Sequence, residues 1–233
     1  MNIEWNNDWV LYDDNHLIAV NKPAGLLVQG DDTGDICLLD MTKAFLKKVE
    51  KKPGNVFLGT IHRLDRPVSG VVLFAKTSKA LTRMNEMFKE KKIRKTYYAL
   101  VEQKPKKLNS TLEHWLTKDT ERNLAHAHER EVKEGKHAIL EYFYIGTANH
   151  LYLLRVNPLT GRPHQIRVQL SKMGCPIAGD LKYGSKSSHG HQIYLHSGKV
   201  NFVHPVKKEP MEIKCLPPNE GNWQFFQELI NNN

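Results

Sequence analysis

Cysteine is scarce in this 233-residue chain. Cys37, Cys175 and Cys215 are the only three, odd in number and far apart. That pattern indicates neither a disulfide framework nor a paired-cysteine zinc site. No apolar run approaches the roughly 20 residues a membrane helix needs. The stretch Met1-Asn2-Ile3-Glu4-Trp5-Asn6-Asn7-Asp8 lacks the charged-then-apolar pattern of a secretory leader. A Gly-rich fingerprint for a nucleoside triphosphate or dinucleotide is also missing, and Gly179-Asp180-Leu181-Lys182-Tyr183-Gly184 reads as a glycine-bracketed turn. Histidine pairs such as His126/His128 and His189/His191 stand two apart, without the wider spacing and neighbouring ligands of a zinc site. The chemistry expected is free of metal, of nucleotide and of any other cofactor. No internal repeat stands out, and no composition break requires a second domain. A cytoplasmic enzyme or nucleic-acid binder is the natural expectation.

What the chain does have is positive charge. It carries 34 lysines and arginines against 25 acidic residues, a formal net charge of +9. Such a surplus favours a polyanionic partner, RNA or DNA first. Its lysines are scattered rather than lined along one helix face, which argues against a membrane-surface helix.

Strand signals open the chain. Trp9-Val10-Leu11-Tyr12 and Leu17-Ile18-Ala19-Val20 flank the turn set Asp13-Asp14-Asn15-His16. Leu38, Leu39, Thr42, Phe45, Leu46 and Val49 recur at helical spacing. Residues 56–60 and 71–76 read as strands, and Ser78 as the cap of a helix carrying Leu81, Met84 and Phe88. Arg94 to Val101 alternates as a strand, and 104–136 as short strands with loops. A hairpin is expected over 138–156, turning at Gly146-Thr147-Ala148-Asn149. Pro163 suits the first turn of a helix that Gly174 closes. Strands are expected at 192–204 and 210–216, and a helix over 223–230. Many strands with a few helices between them predict an α+β fold, with a mixed or antiparallel sheet core and flanking helices.

The most informative segment is His62-Arg63-Leu64-Asp65-Arg66-Pro67-Val68-Ser69-Gly70. A carboxylate sits between two arginines in a loop backed by an apolar run. The arginines favour the ionised form of Asp65 and can hold phosphates. Chemistry on a nucleotide is one reading, and a surface loop with weak ion pairs is the other. The second segment is Leu159 to Arg167. Three residues before Leu170 on its helix, Arg167 borders the apolar face and needs a carboxylate or phosphate partner. Asp65 and a structural acid elsewhere both qualify. Tyr97 and Tyr98 point to opposite faces of their strand, so one of them can line a given pocket. An aromatic there can stack a base or simply fill the core.

Together these segments resemble the RluA-type pseudouridine synthases, in order and along nearly the whole chain. Val20-Asn21-Lys22-Pro23-Ala24-Gly25 resembles the family's first block. His62 to Gly70 resembles its catalytic loop, with Asp65 at the essential aspartate. Lys95 to Val101 is similar to its tyrosine strand, which places the active-site tyrosine at Tyr97. Thr160 to Arg167 resembles its third block, with the active-site basic residue at Arg167. Ile177 to Gly184, Leu195-His196 and Phe202 to Pro205 resemble its C-terminal blocks. Val68 and Gln169 depart from common family choices, threonine or serine and histidine respectively. Neither replaces a residue assigned to chemistry.

The resemblance implies an isomerase: a pseudouridine synthase acting on uridines in structured ribosomal or transfer RNA, with no cofactor. It implies one catalytic domain over 1–233 without the small N-terminal RNA-binding module of some relatives. Asp65 is the expected nucleophile, paired with Arg167. Tyr97 is expected against the uracil, and Arg63 in the space left by a flipped base. His62, Arg66 and Leu195 complete the expected substrate contacts. The Arg66-Pro67 pair is similar to the subgroup acting on transfer RNA. With no heptad or long unpaired apolar face, a monomer is expected.

Overall fold

A computed structural model describes residues 3–31, 34–51, 53–190 and 192–232. His191, one of the histidines weighed above, and Lys52 lie outside them. In chain order the elements are β1 (Val10–Asp13), β2 (Leu17–Lys22), α1 (Leu38–Val49), β3 (Gly59–Thr60), β4 (Ser69–Ala75), α2 (Ser78–Lys89), β5 (Arg94–Val101) and β6 (Asn109–Asp119). Then come β7 (Leu124–His128), β8 (Lys136–Ala148), β9 (Leu151–Pro158), α3 (Gln165–Lys172), β10 (Leu195–Val203), β11 (Pro210–Lys214) and α4 (Gln227–Asn231). The fold is α+β and dominated by strands. No helix among the described residues is long and apolar enough to cross a membrane.

Two compact units divide the chain: 1–93 with 199–215, and 94–198 with 216–233. Each is built from two separate stretches of sequence. A single composition break could therefore not mark the division.

In the first unit β1, β2 and β4 pair antiparallel in that order, β3 also pairs with β4, and β10 pairs with β11. Every residue of β4 is buried, as expected of a strand covered on both faces. Leu17 and Ala19 of β2, Leu73 of β4 and Met84 of α2 share one core cluster with Phe202 and Ile213. The pairing register sets Lys22 opposite Gly70. That register brings the end of β2 to the exit of the Asp65 loop.

In the second unit β5, β9, β8, β6 and β7 pair antiparallel in that order. Val168 of α3 packs with Leu116, Ala125, Ala138 and Tyr183. All three cysteines of the chain are buried, and none forms a disulfide.

Several boundaries differ from the sequence expectation. Thr77, not Ser78, caps α2, its side chain accepting the Ala80 N–H; extended backbone at Thr77 puts its oxygen where a cap is needed. The strand expected over 56–60 shrinks to Gly59–Thr60. The region 104–136 holds the 11-residue β6 rather than only short strands. The β8–β9 hairpin turns at Asn149 and His150, whose φ values are 46° and 61°. Two successive left-handed residues match the twist of the flanking strands. Gly146 lies instead inside β8, at an irregularity in the register. Residues 221–226 form a 3-10 segment ahead of the short α4. α3 starts at Gln165, so Pro163 precedes the helix. His164 is left-handed there (φ 53°), which interrupts helical geometry just after the proline.

Candidate active site

In the first unit the Asp65 loop hangs between two buried pegs, Leu64 and Val68, with Asp65 itself half-buried and Arg63 and Arg66 exposed. A turn closes it, the Val68 N–H donating to the Asp65 carbonyl at 3.0 Å. Serving both ends of the loop are residues from elsewhere. His62 Nε2 accepts the Leu73 N–H of β4 at 3.1 Å. β3 ends at Thr60 opposite Phe74, so the imidazole supplies an acceptor where the strand has run out. Accepting at Nε2 leaves the proton of a neutral ring on Nδ1. The His62 ring also lies 5.5 Å from that of Phe88.

Beyond the turn, the Arg66 carbonyl accepts from the Gly25 N–H at 2.8 Å and from Lys22 Nζ at 3.1 Å. The Arg66 guanidinium returns a bond to the Gly25 carbonyl at 3.0 Å and pairs with Asp35 at 2.9 Å. Gly25 holds φ 88°, a conformation that favours glycine. The Lys22-Pro23-Ala24-Gly25 turn is thus latched to the Asp65 loop by main-chain and side-chain bonds.

Lys22 is fully buried. Its three ammonium protons meet three carbonyls, those of Pro23 (2.9 Å), Leu26 (2.7 Å) and Arg66 (3.1 Å). Burial pushes its pKa down to about 7, with the Asp65 carboxylate opposing and the Arg66 guanidinium adding to the shift. Lysine is rarely buried, and this one is fully supplied with acceptors. The sequence marks Lys22 only as a member of the block Val20 to Gly25; its burial depends on the β2–β4 register.

The second unit contains Tyr97, Arg167 and Leu195. Tyr97 and Tyr98 are both buried on β5, opposite Val156 and Arg155 of β9 respectively. Leu195 is buried at the start of β10. Arg167 is buried on α3. The carboxylate partner shown within this unit is Asp180, the structural acid left open above. Arg167 Nε meets Oδ2 at 2.7 Å and a terminal nitrogen meets Oδ1 at 2.8 Å. Only 6% and 1% of the two side chains are exposed, so the pair is bidentate and almost dry. The Arg167 guanidinium also lies over the Tyr183 ring, 4.9 Å from its centroid. The Tyr183 hydroxyl accepts the Ala125 N–H at 2.8 Å and bonds His164 Nδ1 at 2.7 Å.

Asp180 and Tyr183 both come from the glycine-bracketed turn. Gly179 (φ 86°) comes so close to the chain that an added Cβ would sit 2.9 Å from the Gln192 carbonyl oxygen. Gly184 is left-handed at φ 93°. The turn is a holder for the arginine. Among the described residues no group of three or more histidines, cysteines or acids is placed to hold a metal ion.

The family described as RNA pseudouridylate synthase matches residues 16–172. The chain is 32% identical over 230 residues to the ribosomal large subunit pseudouridine synthase C of Vibrio vulnificus (strain CMCP6), covering 95% of this chain and 69% of that protein. It is 32% identical over 237 residues to the protein of the same name from Escherichia coli (strain K12), covering 96% and 70%. The solved structure of Human RNA Pseudouridylate Synthase Domain Containing 4 shares the fold, with a TM-score of 0.77 at 21% identity, over 96% of this chain and 93% of that one. This chain belongs to the RNA pseudouridylate synthase family. It is accordingly an isomerase that acts on uridine in RNA.

Proposed function

We propose that this enzyme converts uridines of large-subunit ribosomal RNA to pseudouridine, with Asp65 as the nucleophile. The observation that carries the reading is the Asp65 loop. It lies within the family match, it is pegged by Leu64 and Val68, and a buried lysine latches it from below. The ribosomal target rests on the names of the two bacterial relatives. Arg66-Pro67, the feature similar to the transfer RNA subgroup, has a local task here, since Arg66 ties the loop to Gly25 and Asp35.

The reaction is an internal transfer. Asp65 adds to the nucleotide and is later expelled. The N1–C1′ bond breaks, the uracil turns, and a C5–C1′ bond forms. C5 gives up its proton and N1 gains one, so no atom is lost and no oxidant or energy source is consumed. An ionised carboxylate suits the step as nucleophile, and Arg167 would keep it charged and fix its rotamer. Tyr97 packs against the turning base and assists the proton transfer. A uridine in structured RNA must first leave its stack; exposed Arg63 fills the vacated space, and Leu195 walls the pocket. His62 and Arg66 support the loop that presents Asp65. Scattered lysines grip phosphate without selecting the base. Residues 1–233 act as one catalytic domain, as a monomer in the cytoplasm, without a cofactor.

The test uses cellular RNA from a strain lacking this gene, labelled with uridine tritiated at C5. Purified protein releases tritium to water, and mapping of the modified positions places them in large-subunit ribosomal RNA. Modification confined to transfer RNA overturns the ribosomal assignment.

A further inference from the structure

Glu102 directly follows β5, the strand of Tyr97, and its carboxylate is the hub of a dense cluster of donors. It accepts from Ser185 Oγ at 2.6 Å, Ser187 Oγ at 2.7 Å, the Lys186 N–H at 3.0 Å and the Ser187 N–H at 3.2 Å. Burial opposes its charge, but these bonds outweigh it and hold the carboxyl below its ordinary range. So many donors on one carboxylate indicate an ionised group fixed in place.

The cluster reaches the arginine holder. Ser185 Oγ, while donating to Glu102, accepts the Gly179 N–H at 3.0 Å. The Ser185 N–H donates to the Asp180 carbonyl at 3.1 Å. Gly179 and Asp180 are thereby clamped from the far side of the turn, and Asp180 holds Arg167. The backbone completes the link to β5. The Glu102 N–H donates to the Pro176 carbonyl at 3.1 Å, and the Ala178 N–H donates to the Leu100 carbonyl at 2.9 Å.

We propose that Glu102, acting through Ser185, is a positioning residue for the isomerisation: it sets the turn that aims Arg167 and ties that turn to the strand of Tyr97. The proposal rests on the assignment of Arg167 to the reaction. Glu102 touches no reacting atom. Its effect is geometric, and reactions of this kind are sensitive to misplacements of about 1 Å, worth about 100-fold in rate. A glutamine at 102 would turn an NH2 donor toward a cluster made of donors. An alanine at 185 would keep both carboxylates and remove only the bridge.

The experiment measures single-turnover tritium release and RNA affinity for E102Q, S185A, R167K and the two double variants with R167K. The substrate is the tritiated RNA from the strain lacking the gene. Lysine at 167 keeps the charge but loses the bidentate fork. The expected result is a rate about tenfold lower in E102Q and in S185A, with RNA affinity within about twofold of wild type. In the R167K background the same changes add no further loss, because both act through one arginine. If E102Q does not fold, S185A carries the test alone. A wild-type rate in both single variants, or an undiminished further loss on top of R167K, overturns the role of Glu102 and leaves Arg167 in place. A wild-type rate in R167K itself overturns the Arg167 assignment and the proposal with it.

Discussion

Lys22 donates a hydrogen bond to the main-chain carbonyl of Arg66, 44 residues along the chain and one residue past Asp65. Substituting Lys22 by methionine strands three carbonyl acceptors and frees the Asp65 loop. We expect turnover to fall about tenfold with RNA affinity unchanged, read by tritium release and filter binding. Wild-type turnover in the variant contradicts the latch.

Lys22 also predicts a pH dependence. Burial sets its folded pKa at about 7, far below the roughly 10.4 of a free lysine. Between those values the unfolded chain holds the proton that the folded chain has lost. Stability therefore rises with pH across that window. Urea unfolding at pH 7, 8 and 9 should show the stability of wild type minus that of Lys22→Met growing as pH increases. A constant difference contradicts the depressed value.

The Asp180–Arg167 pair is nearly dry, so removing one member leaves an uncompensated charge. Asp180→Ala should lose about 3–5 kcal/mol of stability and nearly all activity. Denaturant midpoints and the tritium assay check both. A loss below about 1 kcal/mol would mean that Arg167 finds another partner without cost.

Asp14 gives the acid side of the profile. Its carboxylate accepts the His16 and Leu17 N–H groups at 2.8 and 2.9 Å, accepts the Tyr12 hydroxyl at 2.8 Å and pairs with Lys207 at 2.9 Å. Burial raises its pKa, but the hydrogen bonds from His16, Leu17, Lys207 and Tyr12 outweigh it and hold the carboxyl well below the carboxylate range. Its stabilisation is complete above the unfolded pKa of about 3.9 and is lost as pH falls toward the folded value. Asp14→Asn should cost on the order of 2 kcal/mol at pH 7 and clearly less at about pH 2, below the unfolded pKa. An equal cost at both pH values, measured by urea unfolding, contradicts this.

The Asp65 loop, the tyrosine strand and the Arg167 helix were legible because each lies in one short stretch with its own pattern. Periodicity even set the need of Arg167 for a carboxylate or phosphate partner. The identity of that partner was not legible. Asp180 lies in a turn whose glycines advertise only backbone conformation, and the fold alone brings it to α3. Lys22 was hidden for the same reason, since one of its three acceptors, the Arg66 carbonyl, lies 44 residues away. The turn at Asn149-His150 was displaced in the sequence expectation by Gly146. That glycine serves instead a close approach, with an added Cβ lying 2.9 Å from Leu229 Cδ1.

The most direct measurement is on Asp65→Asn, which keeps the shape of the side chain and removes its charge. With tritiated cellular RNA, tritium release should fall to background while RNA affinity stays within about twofold and the unfolding midpoint is unchanged, the loss falling on the transition state alone. Pseudouridine formation by that variant at the wild-type rate would contradict the nucleophilic role of Asp65.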